Sequence, residues 1–204
     1  MNKKINHKSK PAPRKRKKTK KPYMQFAALV SNGTFFLCIF LGILFLIKVG
    51  PHVVDGSSMF PTLENGDRIF VNKGEIPKRY SIVTLDPLKK KKESYVKRVV
   101  GLPGDYIWLE GTSLFLNQEQ PTFSVEGSSK SSHLPDGTIK ITVNRAVAHK
   151  MGGLKQIPAD NYFVLGDNRN HSNDSRSFGL VSAKQIEGVA MYRYYPLTRL
   201  GRLH

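Results

Sequence analysis

The stretch Tyr95-Val96-Lys97-Arg98-Val99-Val100-Gly101-Leu102-Pro103-Gly104-Asp105 reads as a β-strand with an abrupt end. Strand alternation puts Tyr95, Lys97 and Val99 on one face and Val96, Arg98 and Val100 on the other. The Gly-Leu-Pro-Gly-Asp run then stops it. The chain around it is built the same way. Arg68–Asn72 and Ser81–Leu85 are short β-branched runs bounded by Gly, Asp and Pro. Tyr106–Leu109 and Leu114–Leu116 flank a Gly-Thr turn and read as a hairpin. Asn161–Leu165 is a further strand, and Ser182–Ile186 makes a helical turn before a final strand over Gly188–Tyr195. Residues 117–158 carry a weaker pattern, with apolar material at Ile139–Val143, and read as a modest insertion of one or two strands with loops. After residue 50 there is neither a long amphipathic helix nor an internal repeat. The expected fold is mostly β, an antiparallel sheet or barrel.

Ahead of this β region the composition is different in kind. Residues 1–22 hold 11 of the 33 lysines and arginines, and no acidic residue occurs before Asp55. From residue 55 onward 21 basic residues face 15 acidic ones, a net +6 out of the chain's +18. The charge excess is therefore mainly a tail, which argues against a nucleic-acid-binding domain. The run Lys89–Lys92 reads as a solvated loop tip. Between Phe26 and Val49 the polar interruptions are Ser31, Asn32, Thr34 and Lys48. At 1.5 Å per residue, about 20 residues cross a ~30 Å hydrocarbon core, so this segment is expected to span a membrane. It is too long for a cleaved secretory signal, whose apolar region runs to about 15 residues. The positive-inside rule places the basic tail in the cytoplasm and the β region outside. The sole cysteine, Cys38, lies in the apolar segment, so the β region has no disulfide and depends on its core.

Three polar blocks carry the chemistry. The first is Gly56-Ser57-Ser58-Met59-Phe60-Pro61-Thr62-Leu63, the second surrounds Lys97, and the third is Gly166-Asp167-Asn168-Arg169-Asn170-His171-Ser172-Asn173-Asp174-Ser175-Arg176. No convincing histidine–carboxylate pair is available to activate a serine. A lysine can take that role if an apolar setting strips its charge, which requires its pKa to fall from ~10.4 toward 7–8. A lysine in a strand otherwise snorkels to water. Asp167, Arg169, Asp174 and Arg176 alternate in sign and suit bidentate pairing. Asp167, His171 and Asp174 are a metal set on paper, but the arginines compete for the same carboxylates, so no metal or other cofactor is expected. Ser58 lies about ten residues beyond the apolar segment, a reach of at most ~35 Å, which keeps its hydroxyl near the bilayer surface.

These blocks, in this order behind one apolar segment, resemble the type I signal peptidases, bacterial Ser/Lys proteases that trim exported preproteins. The resemblance covers the apolar segment and about 150 residues after it, and is strongest at 56–73, 95–105 and 163–180. It implies Ser58 as the acylating nucleophile and Lys97 as the general base. It implies Ser172 orienting the amine, Asp174 and Arg176 supporting the site, and Asp167 and Arg169 bracing it. Asp67 falls in a segment of structural importance, and Met59, Tyr95 and Val96 fall on positions lining the substrate pockets. Residues 1–25 are then a cytoplasmic tail, 26–49 a transmembrane helix and 50–204 an extracytoplasmic catalytic domain, with 106–160 as a small inserted β region. The partners implied are secretory preproteins cut after Ala-x-Ala and the lipid bilayer, with no nucleic acid. The backbone amide of Ser58 is the natural oxyanion donor. Many members carry a second hydroxyl donor two residues earlier, where this chain has Gly56, so a water or another amide has to serve. Asn170-His171 and Phe178 depart from the commoner family residues outside the chemistry. A catalytically inactive anchored relative that binds preproteins is the alternative, and such a protein typically lacks the serine or the lysine.

Overall fold

A computed structural model describes residues 22–86, 94–120 and 134–203. The basic tail, the Lys89–Lys92 run and most of the 117–136 loop lie outside the described residues. Pro22–Lys48 is a helix, α1. Its described side chains, at 34–44 and 46–48, are exposed, Phe35, Phe36 and Leu46 among them. Among the described residues no helix is long and apolar enough to cross a membrane.

The compact β unit runs from Phe45 to the C-terminus. Its strands are β1 (Val49–Val53), β2 (Arg68–Lys73), β3 (Ile82–Leu85), β4 (Tyr95–Gly101), β5 (Tyr106–Glu110), β6 (Ser113–Asn117) and β7 (Ile139–Thr142). After helix α2 (Arg145–Met151) come β8 (Asn161–Leu165), the single-turn α3 (Ser175–Phe178), β9 (Val181–Ser182), β10 (Ile186–Tyr195) and β11 (Gly201–Arg202). The large sheet has the order β1-β2-β10-β3-β4-β8-β9, with β11 on β10, and β5-β6-β7 form a separate sheet. Every pairing is antiparallel. The mostly β antiparallel expectation therefore holds. The 106–160 region holds the expected hairpin and one further strand, and adds the helix α2, which sequence reading did not anticipate. Asn144 starts α2 by accepting the Val147 amide on its side chain at 2.7 Å, a cap signal that sequence reading passed over.

Two features of this sheet position the site. β10 lies between β2 and β3, so the last third of the chain is built into the centre of the sheet. β4 pairs with β3 through residues 95–98 but with β8 only from Arg98 onward, so among the described residues 95–97 have no strand partner on the β8 side. The core has three clusters. Val54, Met59, Leu63, Ile69, Val71, Ile82, Val96 and Ala190 form the one beneath the Ser58 turn. A second joins the small sheet to α2 and β8, and a third lies around Val83, Val99 and Val164. Gly101, at the end of β4, sits where the large sheet meets the small one. A Cβ there would stand 2.6 Å from both Ile157 Cδ1 and Leu116 Cδ1, so only glycine fits.

Candidate active site

The turn bearing Ser58 lies between β1 and β2. Gly56, at φ +83°, supplies the left-handed step that bends the chain, and its amide donates to Asn65 Oδ1 at 2.9 Å. Met59 is fully buried and anchors the turn into the core, leaving Ser58 half-buried above it. From the third block, Asn168 clamps this turn twice. Its amide donates to the Ser58 carbonyl at 3.0 Å and its Nδ2 to the Ser57 carbonyl at 3.1 Å. Gly166 approaches so closely that a Cβ would strike the Ser172 side chain and lie 2.6 Å from the Ser58 carbonyl oxygen.

Lys97 does not snorkel. It is 3 % exposed, and its Nζ lies 2.8 Å from Ser58 Oγ and donates to the Val96 carbonyl at 2.9 Å. The amine is also 5.1 Å from the centroid of the Tyr95 ring, on the shared strand face. Burial strips solvent from the ammonium and pushes its pKa down to about 8, against the opposing pull of Asp174. The pair is separated by 39 residues in sequence and is brought together by the β4 register and the turn after β1.

Around the pair, the carboxylates of the third block are held by arginines. Asp174 is wholly buried and accepts from the Gly166 amide at 3.0 Å, from Arg176 Nε at 2.8 Å and from Arg176 Nη2 at 2.9 Å. Burial works to raise its pKa, but the hydrogen bonds, led by Arg176, hold it below the usual carboxylate range. The within-block alternation paired Asp167 with a neighbouring arginine, yet Asp167 is gripped by Arg98 from β4. Arg98 Nε donates to it at 2.8 Å and Nη2 at 2.7 Å, and Thr62 Oγ1 adds a third bond at 2.6 Å. Burial opposes these bonds, but Asp167 too is held below its ordinary value. Arg169 is exposed and contributes its backbone carbonyl, which accepts from Arg176 Nη2 at 2.6 Å. Ser172 comes to the site, where its side chain helps hold the Asp174 carboxylate ionised, but its buried Oγ makes no hydrogen bond to Lys97. Sequence reading assigned no role to Asn168 or Thr62, although both stand inside the quoted blocks. A second ring of ion pairs was also missed: Asp67, fully buried, accepts from Arg193 at 3.1 Å and Arg199 at 2.8 Å.

The chain has counterparts among known proteins. Residues 27–195 match the family model described as signal peptidase, peptidase S26. The chain belongs to that family. Membership makes it an enzyme, a serine endopeptidase. Signal peptidase I P of Bacillus subtilis subsp. natto is 40 % identical over 173 residues, covering 80 % of this chain and 85 % of that relative. Signal peptidase IB of Staphylococcus aureus is 32 % identical over 178 residues, covering 83 % of this chain and 89 % of that one. A crystal structure of a signal peptidase I from Enterococcus faecalis V583 is 28 % identical, covering 56 % of this chain and 97 % of that chain, with a TM-score of 0.35.

Proposed function

We propose that this chain is a membrane-anchored endopeptidase that removes N-terminal signal peptides from exported preproteins, cutting after a small residue through a Ser58/Lys97 dyad. The single observation behind it is the 2.8 Å contact between a buried Lys97 amine and the Ser58 hydroxyl. With the amine uncharged, its two N–H groups have the Val96 carbonyl as a fixed acceptor, and its lone pair takes the Ser58 proton. Ser58 Oγ attacks the scissile carbonyl. Lys97 passes the proton to the leaving amine, and a water then hydrolyses the acyl-enzyme. The Ser58 amide stands at the start of the clamped turn and serves as the oxyanion donor. Met59, Tyr95 and Val96 line the small-residue pockets beside the unpaired stretch of β4.

Asp174 with Arg176 and Asp167 with Arg98 brace the loop that carries Asn168 onto the Ser57–Ser58 turn. Residues 26–49 anchor the protein in the cell membrane, with the basic tail, residues 1–25, on the cytoplasmic side and residues 50–204 outside. An inactive preprotein-binding relative is disfavoured, since both the nucleophile and its base are present and in contact. Purified full-length protein in detergent is expected to cleave a preprotein after Ala-x-Ala. Ser58→Ala and Lys97→Ala each abolish cleavage while circular dichroism and melting show the fold retained. Cleavage surviving in either variant overturns the proposal.

A further inference from the structure

A cavity of about 580 Å³ opens where β10 changes neighbours, and no step of the chemistry above uses it. One edge of β10 follows β2 from Gly188 to Tyr195, whereas the other pairs with β3 up to Val189 and with β11 from Tyr192. The wedge between β3 and β11 has an apolar floor that includes Ile82, Val189 and Ala190, all buried. Its rim is basic. Lys78 and Arg202 are exposed there and make no ion pair among the described residues. Arg79 is already engaged by Asp105, at 2.6 and 2.9 Å, and by the Val100 carbonyl at 2.7 Å. Glu75, the acid on the wall, accepts from Asn72 Nδ2 at 2.7 Å. Two open cations against one acid leave a net charge of +1.

The same rim touches the bracing of the serine–lysine site. Tyr80, half-exposed at the cavity mouth, stands at φ +65°, a left-handed conformation rare for a bulky side chain. Such strain persists only where the surroundings hold it. Its amide donates to the Val99 carbonyl at 2.8 Å, and its carbonyl accepts from Arg98 Nη1 at 2.8 Å. Nε and Nη2 of that guanidinium hold Asp167, which accepts in turn from Thr62 in the Ser58 block. Ile82 and Ala190, on the floor, pack in one cluster with Met59, the residue after Ser58.

We propose that this wedge binds a phosphodiester group, and that its occupancy steadies the active site through Tyr80 and Arg98. The guanidinium fork of Arg202 and the ammonium of Lys78 are the donors that phosphate oxygens accept best. Ser81 Oγ accepts from the Lys78 amide at 3.1 Å, which leaves its own O–H to donate. A diester carries one negative charge, matching the open +1, and its carbon substituents suit the apolar floor. Val189 is in register with Asn72, and Asn72 with Val49, so the wall lies about 10 Å from the end of the apolar segment. A bilayer phospholipid and a soluble phosphate ester both offer this chemistry. A ligand seated against Lys78 and Ser81 holds the turn carrying Tyr80, and with it the carbonyl that Arg98 grips. The binding stands on the cavity alone, while the effect on turnover rests on the proteolytic reading above.

The test uses the full chain in dodecyl maltoside at fixed ionic strength, with sodium chloride as the control. The probes are glycerophosphoglycerol, which is a soluble diester, and dioleoyl phosphatidylglycerol in mixed micelles. Melting temperature and kcat/KM on an Ala-x-Ala preprotein are read for the parent, Lys78→Ala and Arg202→Ala. A saturating probe is expected to raise the parent's melting temperature by about 2–4 °C, since it binds the folded state alone. It is expected to raise kcat/KM about fivefold, mostly through kcat. Both variants are expected to cleave like the parent without probe and to lose both responses. A response to the soluble diester identifies a soluble ester as the source, and a response to the lipid alone identifies a bilayer headgroup. No melting shift in the parent, a shift that chloride reproduces, or equal shifts in parent and variants each overturn the site. A shift with kcat/KM unchanged overturns the coupling. If the folded parent shows the variant-sensitive shift but cleaves nothing, the proteolytic reading has failed and the site stands.

Discussion

Replacing Lys97 with methionine should destroy activity and stabilise the protein, and the stabilisation should fade as the pH rises. In the unfolded chain this amine keeps its proton up to about 10.5, whereas in the folded protein it keeps it only to about 8. Below pH 8 both states hold the proton, and the folded state bears the full cost of a poorly solvated ammonium. The gap between 10.5 and about 8, at about 1.4 kcal/mol per pH unit, makes that cost about 3 kcal/mol. Between the two values the unfolded chain binds more protons than the folded one, so wild-type stability climbs with pH until the cost is gone near 10.5. Methionine fills similar space without titrating. It forgoes the contacts to Ser58 Oγ and the Val96 carbonyl, which offsets part of the gain by an amount that does not depend on the amine's charge in the same way. Urea unfolding in detergent at pH 7 and at pH 10 measures the difference directly. The variant's advantage should shrink by about 2–3 kcal/mol between those pH values. An advantage that stays constant, or grows, would refute the claim that burial holds this amine near neutrality.

Under the proposed dyad the same amine sets turnover. With a pKa of about 8 it is uncharged in about one-tenth of molecules at pH 7 and nine-tenths at pH 9, so kcat/KM should rise about tenfold across that range, and a flat profile counts against Lys97 as base. Asn168→Ala should lower kcat by roughly tenfold or more with a smaller change in KM, because the clamp on the Ser57 carbonyl is lost; an unaltered kcat would show that the turn holds itself. Asp67→Ala leaves Arg193 and Arg199 without their buried partner and should cost about 3–5 kcal/mol in urea unfolding, and a loss under 1 kcal/mol would mean these arginines find other acceptors. Gly101→Ala should destabilise by about 1–3 kcal/mol, since Ile157 and Leu116 both have to move; a neutral result would show that this junction yields.

Local pattern carried most of the fold. Alternation marked β4, whereas short apolar runs bounded by turn residues marked β2, β3, β8 and the β5–β6 hairpin; β3, β6 and β8 are buried on both faces, so they carry no alternation to read. β1 was missed since Val49–Val53 continues directly from the apolar helix and holds a proline, so no local change in pattern announces it. The serine and lysine were legible because each stands in a distinctive local run. Their supports were less so. Arg98 with Asp167 and Asp67 with Arg193 join residues 69 and 126 positions apart, and nothing along the chain signals which arginine meets which acid.

The clamp on the Ser57–Ser58 turn has a bearing on how the protein is made. Both carbonyls are gripped by a residue more than a hundred positions later, and the loop bearing it is tied down by Arg176 and by Arg98. A nascent polypeptide still short of that loop carries the serine and the lysine but lacks the scaffold that aligns them. Under the proposed dyad, hydrolytic competence therefore arrives only once this late loop has folded.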